Sequence, residues 1–79
     1  MNAREATLTL LAARAEGATV CPSEVARALA AATGEWRAQM SEVHAAVDQM
    51  AADGLVRLSW KGRMLSARDG PYRIRRAAE

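Results

Sequence analysis

The sequence predicts an α+β domain in which three helices are followed by a small antiparallel β hairpin. Alanine makes up 19 of the 79 residues, which favours short and closely packed helices. Larger apolar residues recur at helical spacing as far as Asp53, and the pattern then changes to the two-residue alternation of strands. Because so short a chain buries only a small core, we predict a single domain over residues 1–79.

The first helix is predicted from Ala3 to Glu16, and a short strand follows it. Leu8 and Leu11 recur among alanines at helical spacing, and Gly17 is a natural stop for a helix. Residues 19–21 favour β structure but are too few for an independent strand. We therefore predict that they pair at the edge of the hairpin.

The second helix is predicted to begin at Pro22 and to end near Ala32. Proline suits the first helical position because the amide hydrogen that it lacks would have no partner within the helix. A tight turn over residues 35–41 leads to the third helix, for which Ser41 is the predicted N-cap and Trp36 the earliest start. The core-facing stripe of this helix has spacings of three and four, and it consists of Met40, Val43, Val47, Met50 and Ala51.

Two segments of alternating apolar and polar residues predict the strands of the hairpin. In the first segment, the apolar residues Val56, Leu58 and Trp60 alternate with Arg57, Ser59 and Lys61. In the second, Tyr72 and Ile74 alternate with Arg73 and Arg75. Residues 62–71 contain turn-forming glycines and a proline, and we predict that they form the connecting loop. This order of elements is that of a winged helix-turn-helix, with the C-terminal hairpin as the wing.

Several short motifs make the chain similar to a known family. They are Cys21-Pro22-Ser23-Glu24-Val25-Ala26, Trp36-Arg37 with Met40 and Val43, Gly54, Lys61-Gly62, and Gly70-Pro71 with Ile74-Arg75. On these residues the sequence resembles, over nearly its whole length, a family of small bacterial proteins classed as a domain of unknown function. The resemblance implies a winged-helix-like fold and carries over no catalytic or binding residue. His44 stands where we expect arginine, which argues against nucleic-acid contact by the third helix.

Charge is distributed unevenly along the chain. Residues 1–56 hold four arginines against seven carboxylates, a net charge of −3, whereas residues 57–76 hold seven cations against Asp69 alone, a net charge of +6. The alternation predicts that Arg57, Lys61, Arg73 and Arg75 lie on the hairpin face away from the core. A solvated cationic ribbon suits contact with phosphates, because their neutralisation releases condensed counterions.

Two interpretations of this basic hairpin follow. The first is binding to DNA or RNA with weak sequence specificity, for which the predicted contacts are Arg37, Gln39, Arg57, Lys61, Arg63, Arg68, Arg73 and Arg75. The second is that the cations only keep a strand edge soluble and unpaired. A protein-interaction module is the alternative function, in which the domain forms a homodimer or docks on an acidic protein partner.

The third helix lacks the residues of a base-reading helix. Its predicted outward face carries Ser41, Ala45, Asp48 and Gln49, without the arginine that most often contacts guanine. Asp48 could accept a hydrogen bond from a cytosine amino group, but solvated surface is the simpler interpretation. We therefore predict weak sequence specificity.

Five other residues have more than one interpretation. Cys21 at a helix N-terminus fits a redox-sensitive thiolate, but we expect a small buried apolar residue. Trp36 and Trp60 could stack on bases or line a ligand pocket, but we predict that both anchor the core. Met64 and Leu65 could fold back onto the hairpin, insert into a nucleic-acid groove or contact a second subunit, and the sequence favours none of these.

Other function classes are not expected from this sequence. A single cysteine and a single histidine are too few for a disulfide within the chain or a protein-only zinc site, and a lone cysteine fits the reducing cytoplasm. The serines and His44 form no recognisable triad motif, and the glycines form no phosphate-binding motif. We therefore predict no enzyme activity, cofactor or metal. No segment approaches the length of a membrane helix, so we expect no membrane partner.

Overall fold

Three helices cover one face of a four-stranded antiparallel sheet in the computed structural model, which describes residues 1–77. In chain order the elements are α1 (Ala3–Ala12), β1 (Thr19–Val20), α2 (Pro22–Leu29), a 3₁₀ turn (Trp36–Gln39), α3 (Met40–Ala52), β2 (Val56–Trp60), β3 (Arg63–Leu65) and β4 (Arg73–Arg76). The predicted α+β class, the three helices and the antiparallel C-terminal strands are confirmed. No helix within residues 1–77 is long and apolar enough to cross a membrane.

The first two helices end earlier than predicted. α1 stops at Ala12, and the carbonyl of Arg14 accepts a hydrogen bond from the Arg76 guanidinium at 3.3 Å instead of continuing the helix. α2 stops at Leu29, and a turn over the next residues leads to Gly34. Gly17 and Gly34 adopt φ values of 84° and 77°. Both glycines therefore close a turn that follows the helix, rather than the helix itself.

The predicted core stripe of α3 is confirmed. Its central residues Val43, Val47 and Met50 are fully buried, and the two outer members of the stripe are half-buried. The predicted N-cap Ser41 is wrong, because α3 begins at Met40 and Gln39, two residues before Ser41, occupies the N-cap position. The 3₁₀ turn leads directly into α3, so no separate capping side chain starts it.

The sheet has the order β1-β4-β2-β3, and β4 lies in its centre beside β1, as predicted for the short strand. Ile74 is paired with Val20 on one side and with Leu58 on the other. All three side chains are buried against the helices. Because side chains alternate along a strand, the residues between them point to the opposite face.

β3 lies within the segment that was predicted to be an irregular loop. It pairs antiparallel with the outer edge of β2, so Met64 and Leu65 fold back onto the hairpin. Leu65 packs against the core, whereas Met64 is 52% exposed. The prediction that Lys61 shares the outward strand face is wrong, because β2 ends at Trp60 and Lys61 lies in the turn.

The β2–β3 turn holds Lys61 in a conformation that lysine rarely adopts. Lys61 and Gly62 have φ values of 51° and 81°, and positive φ at both central positions is typical of a type I′ turn, in which Asn-Gly is preferred. We expect Lys61→Asn to raise the free energy of unfolding by about 0.5 kcal/mol, because asparagine is less strained there. Urea unfolding followed by circular dichroism measures this, and a decrease would contradict the assigned turn.

Candidate nucleic-acid interface

The face of the sheet that points away from the helices is basic. We call it the outer sheet face, and it is formed by Thr19, Arg57, Ser59, Met64, Arg73 and Arg75. Arg57 lies directly opposite Arg75 across β2 and β4, and Thr19 lies opposite Arg75 on its other side. The register thus gathers three of the predicted phosphate contacts on one surface.

Two of these arginines are held by the chain around β1. Arg73 donates from Nε to the Thr19 hydroxyl at 2.6 Å. The Arg75 guanidinium lies beside Gly17, where a Cβ atom would be 3.7 Å from Nη2. Within residues 1–77, the ion pairs involve other arginines than these two and Arg57. The three positive charges are therefore not neutralised by any described carboxylate.

Arg57 and Arg75 are paired directly across β2 and β4, so two cationic side chains start from neighbouring positions. Side chains directly opposite each other in an antiparallel pair have Cβ atoms about 4.5–5.5 Å apart, and like charges at that separation destabilise the sheet. Arg57 is exposed and Arg75 is half-buried. An anion bound between the two guanidinium groups would replace this repulsion with attraction.

Arg68, another predicted phosphate contact, is bound to Asp48 of α3. Its Nε and Nη2 atoms donate to the two carboxylate oxygens at 2.7 and 2.8 Å. The hydrogen bond from the guanidinium lowers the pKa of Asp48. This bidentate pair fastens the loop after β3 to α3 and compensates most of the charge of Arg68.

The remaining predicted contacts lie elsewhere in the fold. Lys61 is in the exposed β2–β3 turn, and Arg63 begins β3 opposite Trp60. Arg37 and Gln39 belong to the 3₁₀ turn, which packs against α2 and α3 in the helical layer. The eight predicted residues therefore form several groups, of which only the three arginines share the outer sheet face.

The outward side of α3 is acidic, as its sequence indicates. Glu42 and Asp48 are exposed on it, and the amide of Gln49 donates to the Asp53 carboxylate at 3.0 Å. Asp53 also lies 3.9 Å from the Arg4 guanidinium. Asp48 and Asp53 are paired with arginines, and the exposed Glu42 adds a further negative charge on this side, which disfavours contact with a phosphate backbone.

A second feature is a groove between the start of α2, the 3₁₀ turn, α3 and the hairpin. It encloses about 440 Å³, and its walls include Trp36, Met40, His44, Trp60, Pro71 and Tyr72. We call it the aromatic groove. The prediction that Trp60 anchors the core is wrong. Trp60 lies at the end of β2, outside the core cluster, and its side chain is 37% exposed. Trp36 does pack against the edge of the core.

His44 and Tyr72 form a polar pair in this groove that the sequence did not reveal. The His44 Nδ1 atom lies 2.7 Å from the Tyr72 hydroxyl, and the ring centroids are 5.6 Å apart. Burial raises the pKa of Tyr72 to about 12. Burial also lowers the pKa of His44, with a smaller contribution from the Arg68 charge that Asp48 opposes. Burial therefore favours the neutral form of both rings.

The lowered pKa of His44 makes the stability of the domain depend on pH. The imidazole binds a proton more readily in the unfolded chain, where its pKa is 6.5, than in the folded protein. The free energy of unfolding therefore decreases as the pH falls from 6.5 through the lower pKa of the folded protein. We expect the wild type to lose stability between about pH 7.5 and about pH 5.5, and His44→Gln to lose less. Urea unfolding at both pH values measures the difference; equal losses would contradict it.

Cys21 is half-buried rather than fully buried as predicted. Its Sγ atom lies 3.1 Å from the Ser23 hydroxyl at the start of α2. Over the described residues 1–77, no group of three His, Cys, Asp or Glu side chains is arranged to hold a metal ion. The geometry therefore gives this thiol a hydrogen-bond partner in the Ser23 hydroxyl.

Comparison with known proteins identifies a family. No curated protein matches this chain. The family described as "Protein of unknown function (DUF3253)" matches residues 1–77, which confirms the resemblance seen in the sequence motifs. With nearly its whole length matched, the chain belongs to this family of proteins of unknown function.

Proposed function

We propose that this domain is a cytoplasmic winged-helix protein that binds nucleic acid through phosphate contacts on its outer sheet face. The order of the helices and strands supports this proposal, with β3 as an additional strand within the hairpin. The contact surface differs from the usual one, because the sheet rather than the third helix meets the phosphates. Since phosphates carry no sequence information, the specificity is weak.

The pair of arginines at the centre of the outer sheet face carries the proposal. Arg57 and Arg75 are paired directly across two strands, and we expect like charges at such positions to lower the stability of the free protein. Arg73 adds a third cation to the same face. A bound polyanion relieves the repulsion between the arginines and accepts charge-assisted hydrogen bonds from them. The binding of nucleic acid therefore offsets the loss of stability that the arginine pair causes.

An acidic protein is the competing ligand for this surface. It offers carboxylates in place of phosphates, and its binding would also weaken with salt. The acidic outward side of α3 favours neither ligand, because it repels both. Nucleic acid is favoured because three cations on one sheet face can contact several phosphates of one polyanion, and such contacts release condensed counterions.

A comparison of two double variants tests the proposal. Arg57→Gln/Arg75→Gln removes the opposed pair, whereas the control Arg4→Gln/Arg68→Gln removes two arginines that already have carboxylate partners. Both variants lower the net charge of +2 by two units, so a difference between them reflects position. Fluorescence anisotropy of a labelled DNA duplex, titrated over a series of salt concentrations, measures their affinities.

In a plot of the logarithm of the binding constant against the logarithm of the salt concentration, each phosphate contact contributes roughly 0.9 to the slope. We therefore expect the slope for the opposed-pair variant to be shallower than that of the wild type by about 1.8. The control should keep most of the slope. Equal slopes for both variants would contradict the outer sheet face as the contact surface. No binding by the wild type at low salt would contradict nucleic-acid binding and favour the acidic protein partner.

A further inference from the structure

The aromatic groove has the dimensions and chemistry of a ligand site. Its volume of about 440 Å³ lies within the roughly 300–1,000 Å³ of small-molecule pockets. Apolar walls from Met40 and Pro71 are combined with the hydroxyl of Ser23 and the His44–Tyr72 pair. A few polar groups in an apolar cleft are what a planar, partly polar ring requires.

Two cations lie over the ring of Trp36, which is a wall of the groove, although neither arginine lines the groove itself. The guanidinium carbons of Arg27 and Arg37 lie 4.5 and 4.3 Å from the centroid of its ring. Stacking on an aromatic ring uses the face of a guanidinium and leaves the N–H donors at its edge unoccupied. Within residues 1–77, neither arginine forms an ion pair. Both guanidinium groups therefore have donors available for an anion.

The opposite wall of the groove offers a stacking surface. The indole of Trp60 is 37% exposed and lies outside the core, so its exposure is not explained by packing. Among residues 1–77, no carboxylate lines the groove. Arg63, directly across from Trp60 on β3, adds a cation at this end. The groove therefore complements an aromatic ring with a negative charge attached to it.

We propose that the aromatic groove binds one unpaired nucleotide of a single-stranded nucleic acid, with the base stacked on Trp60 and the phosphate bound by Arg27 and Arg37. The proposal rests on the proposed function, since it names the kind of strand that the domain prefers. Stacking tolerates any base, because every base has a π face. The groove thus adds a preference for single strands while the specificity for sequence stays weak.

The test compares a labelled oligothymidine of about 12 nucleotides with a duplex of the same length, by anisotropy in one buffer. Trp60→Leu removes the stacking ring but keeps an apolar side chain, and Trp60→Phe is the matched control that keeps a ring. Because Trp60 lies outside the core, both variants should fold, which circular dichroism verifies. Arg27→Gln/Arg37→Gln removes the phosphate donors.

We expect Trp60→Leu to weaken oligothymidine binding about tenfold or more and to leave duplex binding unchanged, while Trp60→Phe retains most of the affinity. The arginine variant should also weaken oligothymidine binding selectively. Equal affinity of Trp60→Leu and the wild type for oligothymidine would overturn the groove proposal, even if the duplex still binds to the outer sheet face. Failure of both probes to bind the wild type would overturn both proposals. Displacement of the oligothymidine by equimolar thymidine monophosphate would show a site for free nucleotides and overturn the single-strand assignment.

Discussion

Replacement of Ile74 by alanine should lower the free energy of unfolding by about 2–5 kcal/mol, because it removes a fully buried side chain from the central strand. Ile74 sits between Val20 and Leu58, and its loss leaves a cavity that two neighbouring strands cannot easily close. A domain of this size has a total stability of only about 4–12 kcal/mol, so the variant should be near its unfolding midpoint at moderate temperature.

Ile74→Val is the matched control, since it removes one methyl group and should cost about 0.5–1.5 kcal/mol. Urea unfolding of the three proteins gives the ranking directly. A loss below about 1 kcal/mol for Ile74→Ala would contradict tight packing at the centre of the sheet. That result would also remove the support for the register that places Arg73 and Arg75 on the opposite face.

Replacement of Arg75 by glutamate should stabilise the protein and abolish most nucleic-acid binding. The new carboxylate lies directly opposite Arg57, so a repulsive pair becomes an attractive one, worth roughly 0.2–1 kcal/mol in the free energy of unfolding. The same change removes a phosphate contact, engages Arg57 and repels the phosphates. Since each charge-assisted hydrogen bond is worth about 1.5–3 kcal/mol, we expect more than a tenfold loss of affinity.

Arg75→Gln separates the two effects. It relieves the repulsion without adding a negative charge, so its stability and its affinity should both lie between those of the wild type and the glutamate variant. Denaturant unfolding and anisotropy on the same preparations measure the two quantities. A glutamate variant that is destabilised, or that binds a duplex as tightly as the wild type, would contradict the functional interpretation of the arginine pair.

The helical core could be predicted from local sequence patterns. Val43, Val47 and Met50 lie one helical turn apart, and this spacing identified them as buried without knowledge of their partners. Ile74 and Leu58 were identified by two-residue alternation in the same way. These predictions succeed because one face of each helix or strand must be buried. The spacing of apolar residues, about 3.6 in a helix and about 2 in a strand, shows which face that is.

β3 could not be predicted, because its formation depends on a turn that the sequence does not favour. A three-residue strand has too few positions to show an alternation, and Lys61 is not a residue that normally adopts positive φ. For this reason the sequence placed Lys61 on the outward strand face, whereas the structure places it in the β2–β3 turn. Pairing with the edge of β2 outweighs the local preference of the turn residue.

The pairings within the candidate site depend on contacts that are distant along the chain. Arg68 and Asp48 are 20 residues apart, and nothing in either segment indicates that the loop after β3 returns to α3. The direct opposition of Arg57 and Arg75 depends on the register of β2 and β4. Sequence patterns identified the cations and their faces, but only the fold shows which of them are neutralised and which repel each other.

The central claim is that the outer sheet face, and not α3, meets the nucleic acid. The most direct test is a titration of isotope-labelled protein with an unlabelled DNA duplex, followed by amide chemical-shift changes in two-dimensional NMR spectra. We expect the largest changes at Thr19, Arg57, Ser59 and Arg75, with small changes along the exposed side of α3. Changes concentrated at Ser41, Ala45 and Gln49, with the sheet unaffected, would contradict the claim and assign the contact to the third helix.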